Sequence, residues 1–278
     1  MAKAKHGFLL SLIIPLLFVI LWWGCALRVN NPIILPEVNE VFALLFQPTE
    51  NLISMGSLLS NIMVSLARVM VGYILAVLVA IPMGILMGHY SIVFNLFNNF
   101  LGIFRPIPPL AWVPLVLAWF GVASFATLIG IEEGQLYIWL SNLKISMIFI
   151  IFIGAFFPVL TSSIYGVRSV NKTLVDSALV LGADNREIFR KILLPAAAPS
   201  IVNGMRTGLG VAWMCLVSAE MLPGSISGVG YLITHAYTIA HTDIVIAGMI
   251  SIGAVGALLD CIFRIFENRK FKWQRLAR

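Results

Sequence analysis

Residues 173–195 read TLVDSALVLGADNREIFRKILLP, and this stretch differs from the rest of the chain in its charge. Five charged residues fall within eight positions: Asp184, Arg186, Glu187, Arg190 and Lys191. The 278-residue chain as a whole is 60% hydrophobic and only 11% charged. The stretch is therefore a polar, patterned segment inside a chain that is otherwise strongly apolar.

The apolar content of the chain excludes an ordinary soluble domain, because a soluble fold cannot hide this much apolar surface. Six apolar runs are long enough to cross roughly 30 Å of hydrocarbon. They are Phe8–Leu27, Val69–Gly88, Phe94–Phe120, Lys144–Val167, Met205–Leu222 and Asp243–Ile265. The sequence therefore predicts an all-α integral membrane protein with six transmembrane helices and a single domain over residues 1–278.

The basic residues are distributed unevenly between the loops, and this asymmetry predicts the orientation. Fourteen of the 18 lysines and arginines lie at the N-terminal tip, between the fourth run and the start of the fifth, or from the end of the sixth run into the C-terminal tail. Arg28, Arg68 and Lys144 are assigned to the opposite side, and Arg105 lies within the third run. We expect both ends and the charged stretch to face the cytoplasm, in the cytoplasmic (inner) membrane. The net charge of +6 follows from this bias and requires no nucleic acid.

The third apolar run contains prolines that a regular lipid-facing helix cannot accommodate. Pro106, Pro108, Pro109 and Pro114 each remove a backbone donor and clash with the preceding turn. Broken backbone at membrane depth is tolerated only where protein or a watery cavity surrounds it. We therefore expect the third span to be kinked and interior. An ordinary kinked packing helix is the alternative.

The charged stretch has the signals of two short helices joined by a turn. Thr173 with Asp176, and Asp184 with Glu187, have the spacing of capping boxes. Gly182 lies between them, at the place where a helix commonly ends in a left-handed residue. The sequence therefore predicts a helix, a glycine turn and a second helix.

The second of these helices is predicted to end at Pro195 and to be amphipathic. One face carries Ile188, Phe189, Ile192 and Leu193, and the other carries Arg186, Glu187, Arg190 and Lys191. One interpretation is a helix that lies on the anionic leaflet of the membrane. The first helix is nearly uncharged, which instead favours insertion of the pair into the groove of a partner protein.

The same stretch resembles the EAA loop of ABC importer permeases, written E-A-A-x3-G-x9-I-x-L-P. Here the pattern is Asp176-Ser177-Ala178, three residues, Gly182, nine residues, and Ile192-x-Leu194-Pro195. The first two positions depart from the family pattern. The segments FRPIPPLAWVPLVLAWFG, GMRTGLGVAWMCLVSAEML and GVGYLI also resemble the subgroup that serves nitrate, aliphatic sulfonates, taurine and bicarbonate. The resemblance covers nearly the whole chain from Leu58 onward.

The resemblance implies a type I ABC importer transmembrane domain whose cytoplasmic loop, about residues 171–195, docks on an ATPase. The residues that it assigns to coupling are Asp176, Ser177, Ala178, Gly182, Ala183, Arg186 and Pro195. The implied partners are a second permease copy, two ABC ATPase subunits and a periplasmic or lipid-anchored solute-binding protein. No G-x4-G-K-[ST] phosphate loop is present in the sequence, so ATP and Mg²⁺ are expected on the partner ATPases and the chain is not expected to be an enzyme.

Polar and aromatic residues inside the apolar runs are the candidates for the translocation path. They are Arg105, Pro108, Pro109, Trp112, Trp213 and Glu220. Arg105 either attracts an anion or anchors the third span at the interface, and the two tryptophans either narrow the channel or pack in the core. Glu220 either faces the path, gates it or holds structure, and we favour a structural or gating role. Asp260 and Arg264 have the spacing of a helix-surface ion pair.

The functional prediction is a permease subunit that forms the path for a small anion and is driven by separate ATPases. A permease of the same family for a neutral vitamin-like compound is the first alternative. A stand-alone secondary transporter is the second, and it would be expected to show internal symmetry between halves, which the sequence lacks. His235 and His241 lack clustered carboxylates or cysteines, so neither a metal site nor a resident cofactor is predicted.

Overall fold

The structure is a computed structural model that describes residues 2–221 and 224–271, with side chains from residue 13 onward. The described residues form helices and no strand, which confirms the all-α class. The helices are α1 Ala2–Val29, α2 Val38–Phe46, α3 Leu58–His89, α4 Ser91–Phe104, α5 Val113–Phe120, α6 Phe125–Ile129, α7 Gln135–Ser141, α8 Ile145–Arg168, α9 Lys172–Val180, α10 Asn185–Ile188, α11 Leu194–Glu220, α12 Val229–Thr238 and α13 Thr242–Lys270. A 3₁₀ turn, Pro109–Trp112, precedes α5, and a π-helical turn, Phe189–Leu193, joins α10 to α11.

Three of the described helices are long and apolar enough to cross a membrane: α3, α8 and α13. The pair formed by Ser91–Phe104 and Pro109–Phe120 adds a fourth crossing when it is taken as one span. The portion of α1 that is described with side chains, Ile13–Val29, is apolar as well. The count of six spans therefore stays a prediction, while several apolar helices of spanning length are present.

The predicted third span is broken, as its prolines require. α4 ends at Phe104, and the next helical segment begins at Pro109 and diverges from it by 80°. Prolines at the break cannot donate the backbone hydrogen bonds that a continuous helix needs. The kink is therefore confirmed. The interior placement is not seen for α4, which contains no residue buried by this chain.

The chain forms two compact units, and the first comprises Met1–Met63 with Ser227–Ala254. The short helix α2 follows Pro36 and belongs to this unit. The core of this unit consists of Leu52, Leu58, Leu232, Ala236 and Ile244. The buried Asn61 amide links two of its segments, because it accepts from the Gly228 N–H at 2.9 Å and donates to the Met55 carbonyl at 3.1 Å.

The second unit comprises Val64–Ile226 with Val255–Arg278 and is built around the pair α8 and α11. Small residues allow these two backbones to approach closely, as is common between helices in membranes. A Cβ atom added to Gly204 would lie 2.3 Å from the Cβ of Ser162, and one added to Gly208 would lie 2.8 Å from Val159. This tight pair is the rigid frame for the cavities and the ion pair described next.

Candidate functional sites

The charged stretch folds as a helical hairpin, residues 171–193, in which α9 and α10 are joined at Gly182. Gly182 has φ of +85°, a conformation that glycine adopts without the penalty of a Cβ atom. Its N–H donates to the Leu179 carbonyl at 2.9 Å, and the Ala183 N–H donates to the Ala178 carbonyl at 3.0 Å. These are the two hydrogen bonds of a Schellman motif. The predicted helix–glycine–helix arrangement is therefore present, and its turn is fixed by hydrogen bonds.

The N-terminal ends of the two hairpin helices, α9 and α10, are capped in different ways. Asp184 and Glu187 form the predicted capping box, with the Glu187 carboxylate accepting from the Asp184 N–H at 3.4 Å. The predicted box of Thr173 with Asp176 is wrong. Asn171 is the N-cap of α9, and its side-chain oxygen accepts from the Thr173 N–H at 3.0 Å. Asn171 thus satisfies the Thr173 N–H, which is the donor that the Asp176 carboxylate would have served in the predicted box.

Pro195 does not end the second helix, and that prediction is wrong. The chain stays helical from Asn185 through the π-helical turn into α11, which continues to Glu220. The Leu194 N–H donates to the Phe189 carbonyl, a hydrogen bond five residues long. The wider π turn accommodates the proline, whose ring and missing donor do not fit an ordinary turn. The hairpin is consequently joined to α11 by continuous helix.

The side chains of the hairpin separate into a packed face and an exposed tip. Ile188 and Leu193 are buried, while the four charged residues of the opposite face are exposed, as predicted. The tip is apolar, since Val180 is 88% exposed and Leu181 is 86% exposed. Of the predicted coupling residues, Ala178 and Ala183 are half-buried and the other five are exposed: Asp176, Ser177, Gly182, Arg186 and Pro195. The hairpin thus has an uncovered apolar tip on a hydrogen-bonded turn.

Aromatic contacts tie the base of the hairpin to the end of α3. The Phe189 ring lies 5.4 Å from the ring of His89, in an edge-on arrangement. Nearby, the Arg168 guanidinium lies 3.5 Å from the centroid of the Phe94 ring at the start of α4. A displacement of the hairpin would therefore reach α3 as well as α11.

Glu220 forms a buried ion pair that the sequence did not predict. Its Oε1 lies 2.6 Å from Nη1 of Arg68, and both side chains are 0% exposed. The Ser65 hydroxyl donates to both carboxylate oxygens, at 2.9 and 2.8 Å. Arg68 Nε also donates to the Asn142 carbonyl at 2.7 Å. The pair therefore connects α3, α11 and the segment before α8, which supports the structural role favoured for Glu220.

Arg105 lines a cavity of about 310 Å³ at the break after α4. The other wall residues are mostly apolar and come from the break itself, the 3₁₀ turn, α8 and α11: Ile107, Pro109, Ile153, Gly154, Phe157, Pro158, Thr161 and Val211. Within residues 2–221 and 224–271 the Arg105 guanidinium has neither a carboxylate partner nor a hydrogen bond. Pro108 is exposed beside it. Two path candidates, Arg105 and Pro109, are therefore brought to one cavity.

The two tryptophans occupy different environments. Trp213 is 3% exposed and lies beside a small space of about 40 Å³ with Arg206 and Asp260. Trp112 is half-buried between Phe104 and Phe149, and its indole N–H is buried without a hydrogen-bond partner in the described part of the chain. The structure therefore shows both rings packed among neighbours.

The predicted ion pair of Asp260 with Arg264 is present, with Oδ2 and Nη2 at 3.2 Å. A partner that the sequence did not indicate is Arg206 of α11, which donates to both Asp260 oxygens. Arg206 also lies 3.6 Å from Glu267. These contacts tie α11 to the last turns of α13.

A family model described as "Binding-protein-dependent transport system inner membrane component" matches residues 80–272, more than half of the chain. The chain belongs to this family. It is the membrane-spanning permease subunit of an ATP-binding-cassette importer, which confirms the resemblance stated on its motifs. In this family the ATPase is a separate subunit.

Three curated relatives illustrate the range of the permease's similarities. A protein of Methanocaldococcus jannaschii named as an ABC transporter permease is 46% identical over 269 residues, 97% of this chain and 93% of that protein. The taurine transport system permease protein of Escherichia coli is 32% identical over 91% of this chain and 85% of its own length. The nitrate import permease protein of Leptolyngbya laminosa is 33% identical over 75% of this chain and 67% of its own length.

The fold of the permease is found among solved structures. The MetNI methionine ABC transporter, in an inward-facing conformation, matches with a TM-score of 0.62 over 76% of this chain and 95% of the other. The identity is 16%, so this likeness concerns the fold alone. It confirms the type I importer architecture.

Proposed function

We propose that the permease forms the translocation path for a small anion, such as nitrate, an aliphatic sulfonate, taurine or bicarbonate. Its partners in this proposal are a second copy of the chain, two ATPase subunits and a periplasmic or lipid-anchored binding protein that delivers the substrate. Both ends of the chain and the α9–α10 hairpin lie on the cytoplasmic side of an inner membrane, as the basic loops favour. The names of the taurine and nitrate relatives support this class of substrate.

The observation that carries the proposal is the position of Arg105. The cavity wall from Ile153 to Thr161 lies about the middle of α8, a helix of 24 residues. At about 1.5 Å per residue, α8 is about 36 Å long, so the cavity lies near mid-depth of the membrane. A cation at that depth is costly unless it is paired or faces a water-filled cavity. Arg105 is exposed and faces this cavity, where a transported anion would be its partner.

The α9–α10 hairpin is the proposed joint with the ATPase. Its exposed apolar residues Val180 and Leu181 suit insertion into a protein groove. Its Schellman turn and its continuity with α11 allow it to move as one body, which favours transmission of a rigid-body rotation. The movement that ATP hydrolysis causes in the partner would therefore be transmitted to α11 and α8, whose residues line the Arg105 cavity.

The anion proposal is tested by nitrate uptake into vesicles that contain the permease, its ATPase and its binding protein. We expect Arg105→Met to slow uptake about 10- to 100-fold, because a hydrogen bond to a charged group contributes about 1.5–3 kcal/mol. Arg105→Lys, which keeps the charge, is the matched control. Uptake confined to an uncharged compound, at equal rates in both variants, would contradict the proposal.

The coupling proposal is tested by Gly182→Pro and Ala178→Arg. Proline cannot adopt the φ of +85° at Gly182 and removes the N–H that the Leu179 carbonyl accepts. We expect both variants to insert and to bind the ATPase poorly or hydrolyse ATP without transport. Gly102→Ala is the control, because an added Cβ there contacts nothing within 4 Å. Normal uptake by either hairpin variant would disprove the coupling role.

A further inference from the structure

Lys144 is a buried cation without a carboxylate of its own. It directly precedes α8 and is 8% exposed. Within the described ranges, 2–221 and 224–271, its ammonium group has no hydrogen bond and no ion pair. Lysine is almost never buried unless it is paired. Its partner is therefore to be sought outside the chain.

The one buried carboxylate of this neighbourhood is already engaged. Glu220 is held by Arg68 at 2.6 Å and by the Ser65 hydroxyl. Arg68 in turn donates to the carbonyl of Asn142, two residues before Lys144, and its charge repels the Lys144 ammonium. Because the pair Arg68–Glu220 is neutral, Lys144 leaves the neighbourhood with an excess positive charge.

Lys144 lines a small pocket whose other walls are mostly apolar. They include Ser146 and Met147 of α8, Leu117 of α5 and the backbone at Gly224. The pocket has a volume of about 30 Å³. A Cβ added to Gly224 would lie 4.0 Å from the Lys144 Nζ atom, so the backbone approaches the ammonium closely. This pocket is the smaller of the two cavities, since the one beside Arg105 has about 310 Å³.

An apolar cluster of residues from α5, α8 and α11 forms part of the wall of this pocket. It consists of Val113, Met147, Ile150, Cys215 and Ala219, and we name it the apolar barrier. Four of its members line the Lys144 pocket, from α5, α8 and α11, and Ile153 and Gly154, further along α8, line the Arg105 cavity. From Lys144 to Phe157, α8 rises about 20 Å. The two cavities are thus arranged in series along one side of α8.

We propose that Lys144 is the entry station for the transported anion, that Arg105 is the second station, and that the apolar barrier closes the route between them. This inference rests on the proposed function. Positively charged side chains select anions in pores, and apolar constrictions close pores to ions by excluding water. The anion pairs with Lys144 when the pocket widens at the predicted outer end of α8. It passes to Arg105 when the apolar barrier separates.

The test compares Lys144→Met with Lys144→Arg in vesicles that contain the complete transporter, with nitrate as the probe. We expect Lys144→Met to slow initial nitrate uptake at least 10-fold while ATP hydrolysis stimulated by the binding protein persists. Lys144→Arg keeps the charge and should stay within about threefold of wild type. Removing an unpaired buried charge does not cost stability, so the Tm of Lys144→Met should equal or exceed that of wild type.

Two results would overturn the inference. Wild-type nitrate uptake by Lys144→Met would show that the charge is not used. A fall in Tm together with equal loss of uptake in both variants would show that Lys144 only holds structure. Failure of the proposed function gives a different pattern, because neither Arg105→Met nor Lys144→Met would then affect the transport of an uncharged substrate. Impaired uptake in Arg105→Met alone would reject the Lys144 station and leave the anion proposal intact.

Discussion

Breaking the buried pair of Arg68 and Glu220 is expected to destabilise the permease strongly. The change Glu220→Gln preserves the shape of the side chain and removes its charge. Arg68 then remains 0% exposed with an uncompensated charge, and Ser65 loses its charged acceptor. The free energy of unfolding should fall by about 3–5 kcal/mol, the usual cost of removing one partner from a buried pair. That corresponds to a change of about 140- to 3,700-fold in the unfolding equilibrium.

The double variant Arg68→Met with Glu220→Met distinguishes an ion pair from simple packing. Replacing both partners by apolar residues of similar volume removes the attraction and the unpaired charge together. We expect the double variant to lose less stability than either single variant. Some loss should remain, because the Asn142 carbonyl also loses the hydrogen bond that Arg68 Nε donates at 2.7 Å.

The assay is equilibrium unfolding in mixed detergent micelles, followed by tryptophan fluorescence. It compares wild type, Glu220→Gln, the single variants Arg68→Met and Glu220→Met, and the double variant. The coupling energy of the cycle should be at least about 2 kcal/mol in favour of the pair. Additive losses, or a loss below about 1 kcal/mol in Glu220→Gln, would refute the reasoning. In that case the 2.6 Å contact would contribute no more than an exposed pair does.

Two further changes test the helix frame and the hairpin. Gly204→Leu should prevent close packing of α8 and α11, since even a Cβ atom at this position would lie 2.3 Å from the Cβ of Ser162. The yield of folded protein on size-exclusion chromatography should therefore collapse. The control Gly210→Ala should fold normally, because its Cβ would have nothing within 4 Å. The hydrogen bond from Lys191 lowers the pKa of Glu187. The pair therefore stabilises the hairpin at neutral pH, and this stabilisation is lost as the pH falls through the lowered pKa. Hydrogen exchange of residues 172–193 should therefore differ between wild type and Glu187→Gln at neutral pH and converge in acid, and a difference that does not change with pH would contradict the assignment.

Signals that act over a few residues could be read from the sequence. The capping box of Asp184 with Glu187 and the left-handed Gly182 depend on backbone geometry within one turn, and both were predicted correctly. The cap at Asn171 was missed because Thr173 and Asp176 offered the same spacing pattern two residues later. Pro195 was misjudged because a π-helical turn relieves the clash that normally ends a helix.

Contacts between residues distant in sequence could not be predicted in this way. Glu220 and Arg68 are 152 positions apart, and Asp260 and Arg206 are 54 apart. No spacing rule relates them, because each pair depends on which helices pack together. The nearer partner of Asp260, Arg264, was found since it lies one helical turn away. The sequence therefore supplied the charged residues of the sites and only the local part of their pairing.

The buried or cavity-lining cations of the permease are of two kinds, which differ in whether a carboxylate lies beside them. Arg68 and Arg206 have carboxylates from distant helices, so their charges hold α3, α11 and α13 in place. Arg105 and Lys144 have none within the described residues, and each lines a cavity along α8. An unpaired cation in an apolar wall costs stability, which a fold tolerates most readily where a ligand restores the balance. In the proposed mechanism the exposed Arg105 and the buried Lys144 are the two positions that take the anion.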